Sequence, residues 1–331
     1  MDRLRYSTDL MAVAIPTVVG AVLAGLFVWL FAAALHQPRP HELPVGLVAP
    51  DAVAARATGG LEVASPGAFA VVRFATAEEA RASVEDRAVA GAFVAGPGTP
   101  VILVASGNSQ ASAGAISGAF GAIATASGSP ATVEDVRPLP ADDPYGVVPF
   151  FLVLGVSLSA LVYQVLASAT PTDVRLTVRL VAMVVLAVLA GLAAAGAVGL
   201  ALGFDASLWL LSAVCALLAL AVAAATAALH SIFGRAGLGL AALGVVILGA
   251  ACSGGLVGPS FLPDGFRQLS PFMPAGVGLY AVRGTLYFDG ADLVAPLAVL
   301  VTWIVISLGV LSAAESWRHR AAARPAIPAA G

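Results

Sequence analysis

The chain has 331 residues, is 60% hydrophobic and only 11% charged, and has a mean hydropathy of +0.96. Soluble domains carry about a quarter charged residues, so these values exclude an ordinary soluble protein and point to an integral membrane protein. The formal net charge of −3 includes a basic set of 16 Arg and no Lys, which excludes a phosphate-binding P-loop here because that loop needs its Lys.

The first apolar run covers residues 10–35. It is longer than the h-region of a signal peptide, about 7–15 residues, and reads as an uncleaved signal anchor. Pro16 within it predicts a kink, since proline lacks the N–H that a helix interior needs.

Residues 37–145 have a soluble character. "LPVGLVAP" and "FAVVRFA" read as strands. "TAEEARASVEDRAVAG" reads as a helix, with Thr76 as N-cap and Glu79 completing a capping box. "GAFVAG" and "VILVAS" follow as strands, then the helix "SQASAGAISGAFGAIATASG" and a last strand in "ATVEDVRPL". Strands alternating with helices predict a compact α/β domain. Glu78, Glu79, Glu85 and Asp86 among Arg81 and Arg87 read as a solvated helix face with i,i+4 pairs. His36, His41 and Glu42 read as a solvated linker, because a metal site there would need further ligands. Asp142 and Asp143, in "PLPADDPYG", read as a turn or the cap of the next helix. No GxSxG, HExxH or EF-hand loop occurs.

Five more runs reach the roughly 20 residues that cross the hydrocarbon core. They cover residues 147–168, 176–202, 207–230, 236–257 and 293–314. Arg3 and Arg5 precede the first span, Arg175 and Arg179 lie between the second and third, and Arg235 lies between the fourth and fifth. Arg318, Arg320 and Arg324 follow the sixth. The positive-inside rule then predicts six spans with both termini inside, and residues 37–145 and 259–292 outside. The interiors of the spans hold no Asp, Glu or Arg, which argues against a proton relay. Cys215 and Cys252 fall within apolar runs and read as small buried hydrophobes. The GxxxG of "GLALG", residues 199–203, fits helix packing or dimer formation.

Two connecting segments stand out. "SATPTDVRLTVR", residues 168–179, reads either as a polar turn or as a short helix that Thr170 or Thr172 caps, carrying Asp173 and Arg175. "FLPDGFRQLSPFMPAGVGLYAVRGTLYFDG", residues 261–290, is too polar for a span and too apolar for a surface loop. Pro263 and Pro274 suit helix starts and Ser270 suits a cap. Phe261, Phe266, Phe272, Tyr280, Tyr287 and Phe288 suit the membrane interface, with Arg267 and Arg283 snorkelling to the headgroups.

One span, a large outer domain and then five spans resembles the permease subunits of type-2 ABC exporters. Those permeases have an "LP…W/F…LP" segment, then "A-x-R" and an aromatic, before the last span. Leu262-Pro263, Phe266, Phe272, Met273-Pro274, Ala281, Arg283 and Tyr287-Phe288 follow that pattern. The outer domain, with "LPVGLV", "EEARASVEDRAVAGAFV" and "DVRPLPADDPYG", resembles actinobacterial relatives.

The resemblance implies a mainly α membrane protein divided into residues 1–36, an extracytoplasmic α/β domain at 37–145, a five-helix bundle at 146–316 and a cytoplasmic tail at 317–331. Residues 259–290 would form a re-entrant helical hairpin, an outer gate built on Pro263, Phe266, Arg267, Phe272, Pro274, Tyr280 and Arg283. The loop at 170–178, with Thr170, Thr172, Asp173 and Arg175, would couple to a separate cytosolic ABC ATPase. ATP and Mg would sit on that partner, with no cofactor or catalytic residue on this chain. The expected assembly is a homodimer, or a heterodimer with a related permease, in the lipid of a bacterial plasma membrane, with no nucleic acid. The expected activity is export of an amphiphilic, drug- or lipid-like substrate. Two departures are a short N-terminal segment, residues 1–9, and an outer domain larger than in simple lipid and polysaccharide permeases. The alternative is a non-transporting envelope protein, similar to phage-infection proteins, whose outer domain binds a ligand or partner.

Overall fold

The computed structural model describes residues 2–96, 98–170, 174–203 and 207–322. The chain is mostly helical, with one small sheet. Among the described residues, six helical segments are long and apolar enough to cross a membrane: Val13–Leu35, Val148–Ala169, Leu176–Leu200, Leu208–Phe233, Arg235–Cys252 and Val294–Trp317.

The first belongs to α1, Asp2–Leu35, a helix whose backbone assignment continues through Pro16 without a break. From Val13 onward, most of its described apolar side chains are exposed on the chain, as a lipid-facing helix requires. Near its end, Leu30, Phe31, Ala34 and Leu35 meet Ala251, Leu262 and Phe266.

The inserted domain follows: β1 (Leu43–Val48), α2 (Asp51–Ala64), β2 (Phe69–Arg73), α3 (Ala77–Glu85), β3 (Gly91–Val94), β4 (Val101–Val104), α4 (Gln110–Ala126) and β5 (Thr132–Asp135). The sheet order is β2-β1-β3-β4-β5; β3 and β4 form an antiparallel pair and the other pairs are parallel. The sequence reading does not include α2. Its interior Gly59-Gly60 lowers helix propensity, and Pro50 offers no side-chain cap. Burial of Ala54, Ala57 and Leu61 against α4 and the sheet stabilises it instead. α3 starts as read: Thr76 accepts from the Glu79 backbone N–H at 3.1 Å, and the Glu79 carboxylate accepts from the Ala75 N–H.

The two faces of the sheet are completed differently. α2 and α4 cover one, with Ile116 and Phe120 fully buried there. α3 covers part of the other, and Tyr287 and Phe288 complete it from far along the chain. Burying one such aromatic contributes about 1.5–3 kcal/mol, so the domain draws part of its core from the helical bundle.

The bundle contains α5 (Val148–Ala169), α6 (Leu176–Leu202), α7 (Leu208–Phe233), α8 (Arg235–Ala241), α9 (Leu248–Cys252), α10 (Asp264–Leu269), α11 (Pro274–Tyr287) and α12 (Val294–Ala322). α7 is its axis, packed by α5, α6, α11 and α12. A Cβ on Gly191 would collide with the Ser212 carbonyl, so this glycine lets α6 lie against α7. The GxxxG residues serve other ends: Gly199 accommodates Leu208, and Gly203 terminates α6 with φ 66°. α8 and α9 form one span through a π-helical turn at Ala242–Ile247. That span ends at Cys252, earlier than the run 236–257 suggests, because Gly254 and Gly255 adopt positive φ of 73° and 49° and turn the chain.

Candidate functional site

Residues 259–290 form short helices packed between the bundle and the inserted domain. A 3-10 turn at Pro259–Phe261 leads to α10, a second at Ser270–Phe272 leads to α11. Pro274 occupies the first position of α11, where its missing N–H costs nothing, and Pro263 is the N-cap of α10. Ser270 does not cap α11; Met273 holds that position, and the Ser270 carbonyl packs against Gly276.

α11 is almost wholly buried, and two polar groups fasten it to the inserted domain. Arg87 follows α3 at φ 66° and is 8% exposed. Its Nη1 donates to the Tyr280 carbonyl at 2.9 Å, and its guanidinium lies 3.5 Å above the centroid of the Tyr280 ring. The Phe288 ring lies 5.0 Å from the same group. The side-chain Nε of Arg87 is buried without a hydrogen-bond partner. Burial lowers the Arg87 pKa to about 10, which leaves it cationic at neutral pH. A Cβ on Gly284 would stand 2.7 Å from Arg87 Nη1, so a glycine there makes room for the guanidinium. The reading of Arg87 as part of a solvated helix face is therefore wrong. Arg81 also pairs off its own helix, with Glu134 on β5 at 2.6 Å.

The second fastening centres on Asp143. Its carboxylate accepts from the Val147 and Val148 N–H groups at 2.9 and 3.0 Å, which caps α5. It also accepts from the Tyr287 hydroxyl at 2.6 Å. Contacts outside α11 strengthen the same junction: Arg137 pairs with Asp289 at 2.7 Å, the buried Ser109 hydroxyl donates to the Val257 carbonyl at 2.7 Å, and the His41 backbone N–H donates to the Ser260 carbonyl at 2.8 Å. Arg267 joins Glu42 and Asp264. Glu42 thus belongs to this junction, together with the His41 backbone.

Arg283 is a further correction. It is 5% exposed inside the protein, where Nη2 donates to the Gly255 carbonyl at 2.8 Å, and it does not extend to a surface. Phe261, Tyr287 and Phe288 are likewise buried in protein, whereas Phe272 is exposed and Phe266 packs beside α1. Tyr280 donates to Asp292 at 2.7 Å, and the Trp303 Nε1–H donates to the Phe272 carbonyl at 2.7 Å, tying α12 to the segment. Arg87 and Asp143 are the residues whose importance to this junction sequence reasoning missed. Asp143 sits five residues before Val148, which signals a cap, but nothing near Arg87 signals burial.

The opposite end of the bundle holds a cavity of about 350 Å³ between α5, α6 and α7. Tyr163, Gln164, Thr170, Val174, Arg179 and His230 line it. Gln164 is buried in the span and donates to the Ala223 carbonyl at 3.1 Å. The described parts of the loop at 170–178 form no separate helix before α6. Thr170 ends α5, with its hydroxyl donating back to Ala167, and Arg175 precedes the first turn of α6. Thr172 and Asp173 lie outside the described residues. Comparison with protein-family models, with curated proteins and with solved structures gave no match.

Proposed function

We propose that this chain is the transmembrane permease subunit of an ATP-driven exporter, energised by a separate cytosolic ATPase and working as a dimer in a bacterial plasma membrane. The observation that carries the reading is the pair of sites at opposite ends of one bundle. A polar cavity opens between α5 and α6 beside the short loop at 170–178, and a rigid helical segment at 259–290 carries the inserted domain. Such an arrangement suits a device in which a nucleotide-driven push at one end is felt at the other through α7.

In this reading the inserted domain is extracytoplasmic and residues 259–290 form a re-entrant gate in the outer leaflet. Irregular backbone at membrane depth requires protein cover, and the burial of α11 supplies it. The loop with Thr170, Thr172, Asp173 and Arg175 contacts the ATPase, and ATP and Mg bind there and not on this chain. Apolar span interiors without Asp, Glu or Arg suit an amphiphile better than a proton or metal ion.

The test is affinity purification of the chain from mildly solubilised native membranes. An ATPase subunit should co-purify, and Arg175→Ala with Asp173→Ala should reduce its hydrolysis without reducing the yield of the chain. Recovery without any ATPase, or hydrolysis unchanged in the double variant, contradicts the coupling. Activity that survives on the bundle-anchored inserted domain with no ATPase would favour the ligand-binding envelope protein.

A further inference from the structure

Between the inserted domain and α11 lies a second cavity, of about 170 Å³. Arg87 and Arg283 both line it, together with Asn108, Ser109, Ser112 and Ser253. Arg87 and Arg283 are 8% and 5% exposed. Among the described residues neither forms an ion pair. The nearby carboxylates are otherwise engaged, Asp292 by the Tyr280 hydroxyl and Asp143 by Tyr287 and the start of α5. Two buried cations without a directly bonded anion are costly, although Asp292 and Asp143 offset part of that charge at longer range, and the Arg87 Nε has a proton to donate and no acceptor. The N-terminus of the 17-residue α4 meets the same cavity through Ser109 and Ser112, which adds the positive end of a helix dipole.

A third cavity adjoins this one. It has about 410 Å³, shares Pro259, Gly276 and Tyr280 with the polar cavity, and extends past Val277, Pro296 and Val299 between α11 and α12. Its lining is mainly apolar but includes Arg267 and Asp292. A charged pocket that continues into an apolar slot matches a molecule with an anionic head and a hydrocarbon tail.

We propose that these cavities form one binding site for an anionic amphiphile, with phosphate or carboxylate oxygens facing Arg87 and Arg283 and the tail lying along α11 and α12. The two guanidinium groups supply charge and several N–H donors, as oxyanion recognition requires. Binding at this site stands apart from ATP coupling; only the identification of the bound molecule with the exported substrate rests on the permease reading.

The test measures thermal stability and affinity of the purified full chain in a neutral detergent. The probes are phosphatidic acid, phosphatidylcholine and inorganic phosphate. Phosphatidic acid should raise the melting temperature, phosphatidylcholine should not, and Arg283→Gln should weaken phosphatidic acid binding by about tenfold or more, the loss expected for one charged hydrogen bond.

A second variant guards against misfolding. Ser112→Asp places a carboxylate in the first turn of α4 beside the cavity, where helix dipole and arginines favour it. It should raise the melting temperature without ligand and abolish the further rise with phosphatidic acid. Equal shifts with both lipids, no shift with any probe, or an undiminished shift in Ser112→Asp overturns the site. A full shift with inorganic phosphate alone overturns the amphiphile and leaves a free-oxyanion site. Absence of ATP-driven export by the unaltered chain, with binding intact, would overturn the permease reading and leave this site standing.

Discussion

The guanidinium of Arg87 stacks 3.5 Å above the ring of Tyr280 and donates to the carbonyl of that same residue. One side chain of the inserted domain thus grips both the side chain and the backbone of α11. Gly284, one turn further along α11, leaves the room this requires. Gly284→Ala should displace Arg87 and destabilise the junction by about 1–3 kcal/mol, the usual cost of overpacking. Limited proteolysis should then cut between the inserted domain and the bundle faster than in the unaltered chain. An unchanged cleavage rate would show that the junction tolerates the methyl group.

Asp143 joins two tasks, the cap of α5 and the bond to Tyr287. Asp143→Ala should cost about 1–3 kcal/mol because the Val147 and Val148 N–H groups at the start of α5 lose their acceptor and the bond to the Tyr287 hydroxyl is removed. Tyr287→Phe removes one bond and keeps the cap, so it should cost about 0.5–1.5 kcal/mol. Denaturation of both variants orders the two effects, and an equal loss would mean that the cap contributes nothing.

Gln164 is the buried amide of the second span, beside the cavity at the other end of the bundle. Polar contacts between membrane helices are worth about 0.6 kcal/mol on average. Gln164→Leu should therefore leave folding nearly intact, as judged by melting temperature, while it lowers ATP-linked activity. A large stability loss with activity in proportion would make Gln164 a packing residue only.

Placement of residues 259–290 at membrane depth is open to cysteine labelling, since Cys215 and Cys252 are both buried and give little background. An impermeant maleimide added to intact cells should react readily with Asp289→Cys, at the junction surface. It should react far more slowly with Phe272→Cys, although Phe272 is exposed on the chain itself. Equal labelling would make the segment a plain aqueous loop.

Much of this architecture is legible in the residue order. The six apolar runs, the Thr76 cap and all five strand positions, the last within a longer polar segment, follow from hydropathy and local signals. What escapes is tertiary. α2 forms despite Gly59-Gly60 because its apolar face is buried. Arg87 and Arg283 look like solvated cations in sequence, yet the docking of the inserted domain on α11 encloses both. The sequence also gives no sign that Tyr287 and Phe288 finish the core of a domain that ends some 150 residues earlier, a contact of the same span as the Arg137–Asp289 pair with its separation of 152. Long-range pairings of this kind leave no local pattern. The loop at 170–178 reads in sequence as either a polar turn or a short capped helix; Thr170 turns its hydroxyl back to α5, and Thr172 and Asp173 lie outside the described residues.

The central claim is that ATP hydrolysis on a partner drives an amphiphile across the membrane through this chain. The most direct measurement reconstitutes the chain and its co-purified ATPase in sealed vesicles that carry a fluorescent anionic lipid. ATP with Mg, supplied on the side of the ATPase, should move the lipid to the opposite leaflet. The movement should be lost in Arg175→Ala and with a non-hydrolysable nucleotide. Lipid movement at the same rate without ATP, or no movement in the presence of active hydrolysis, would contradict the account.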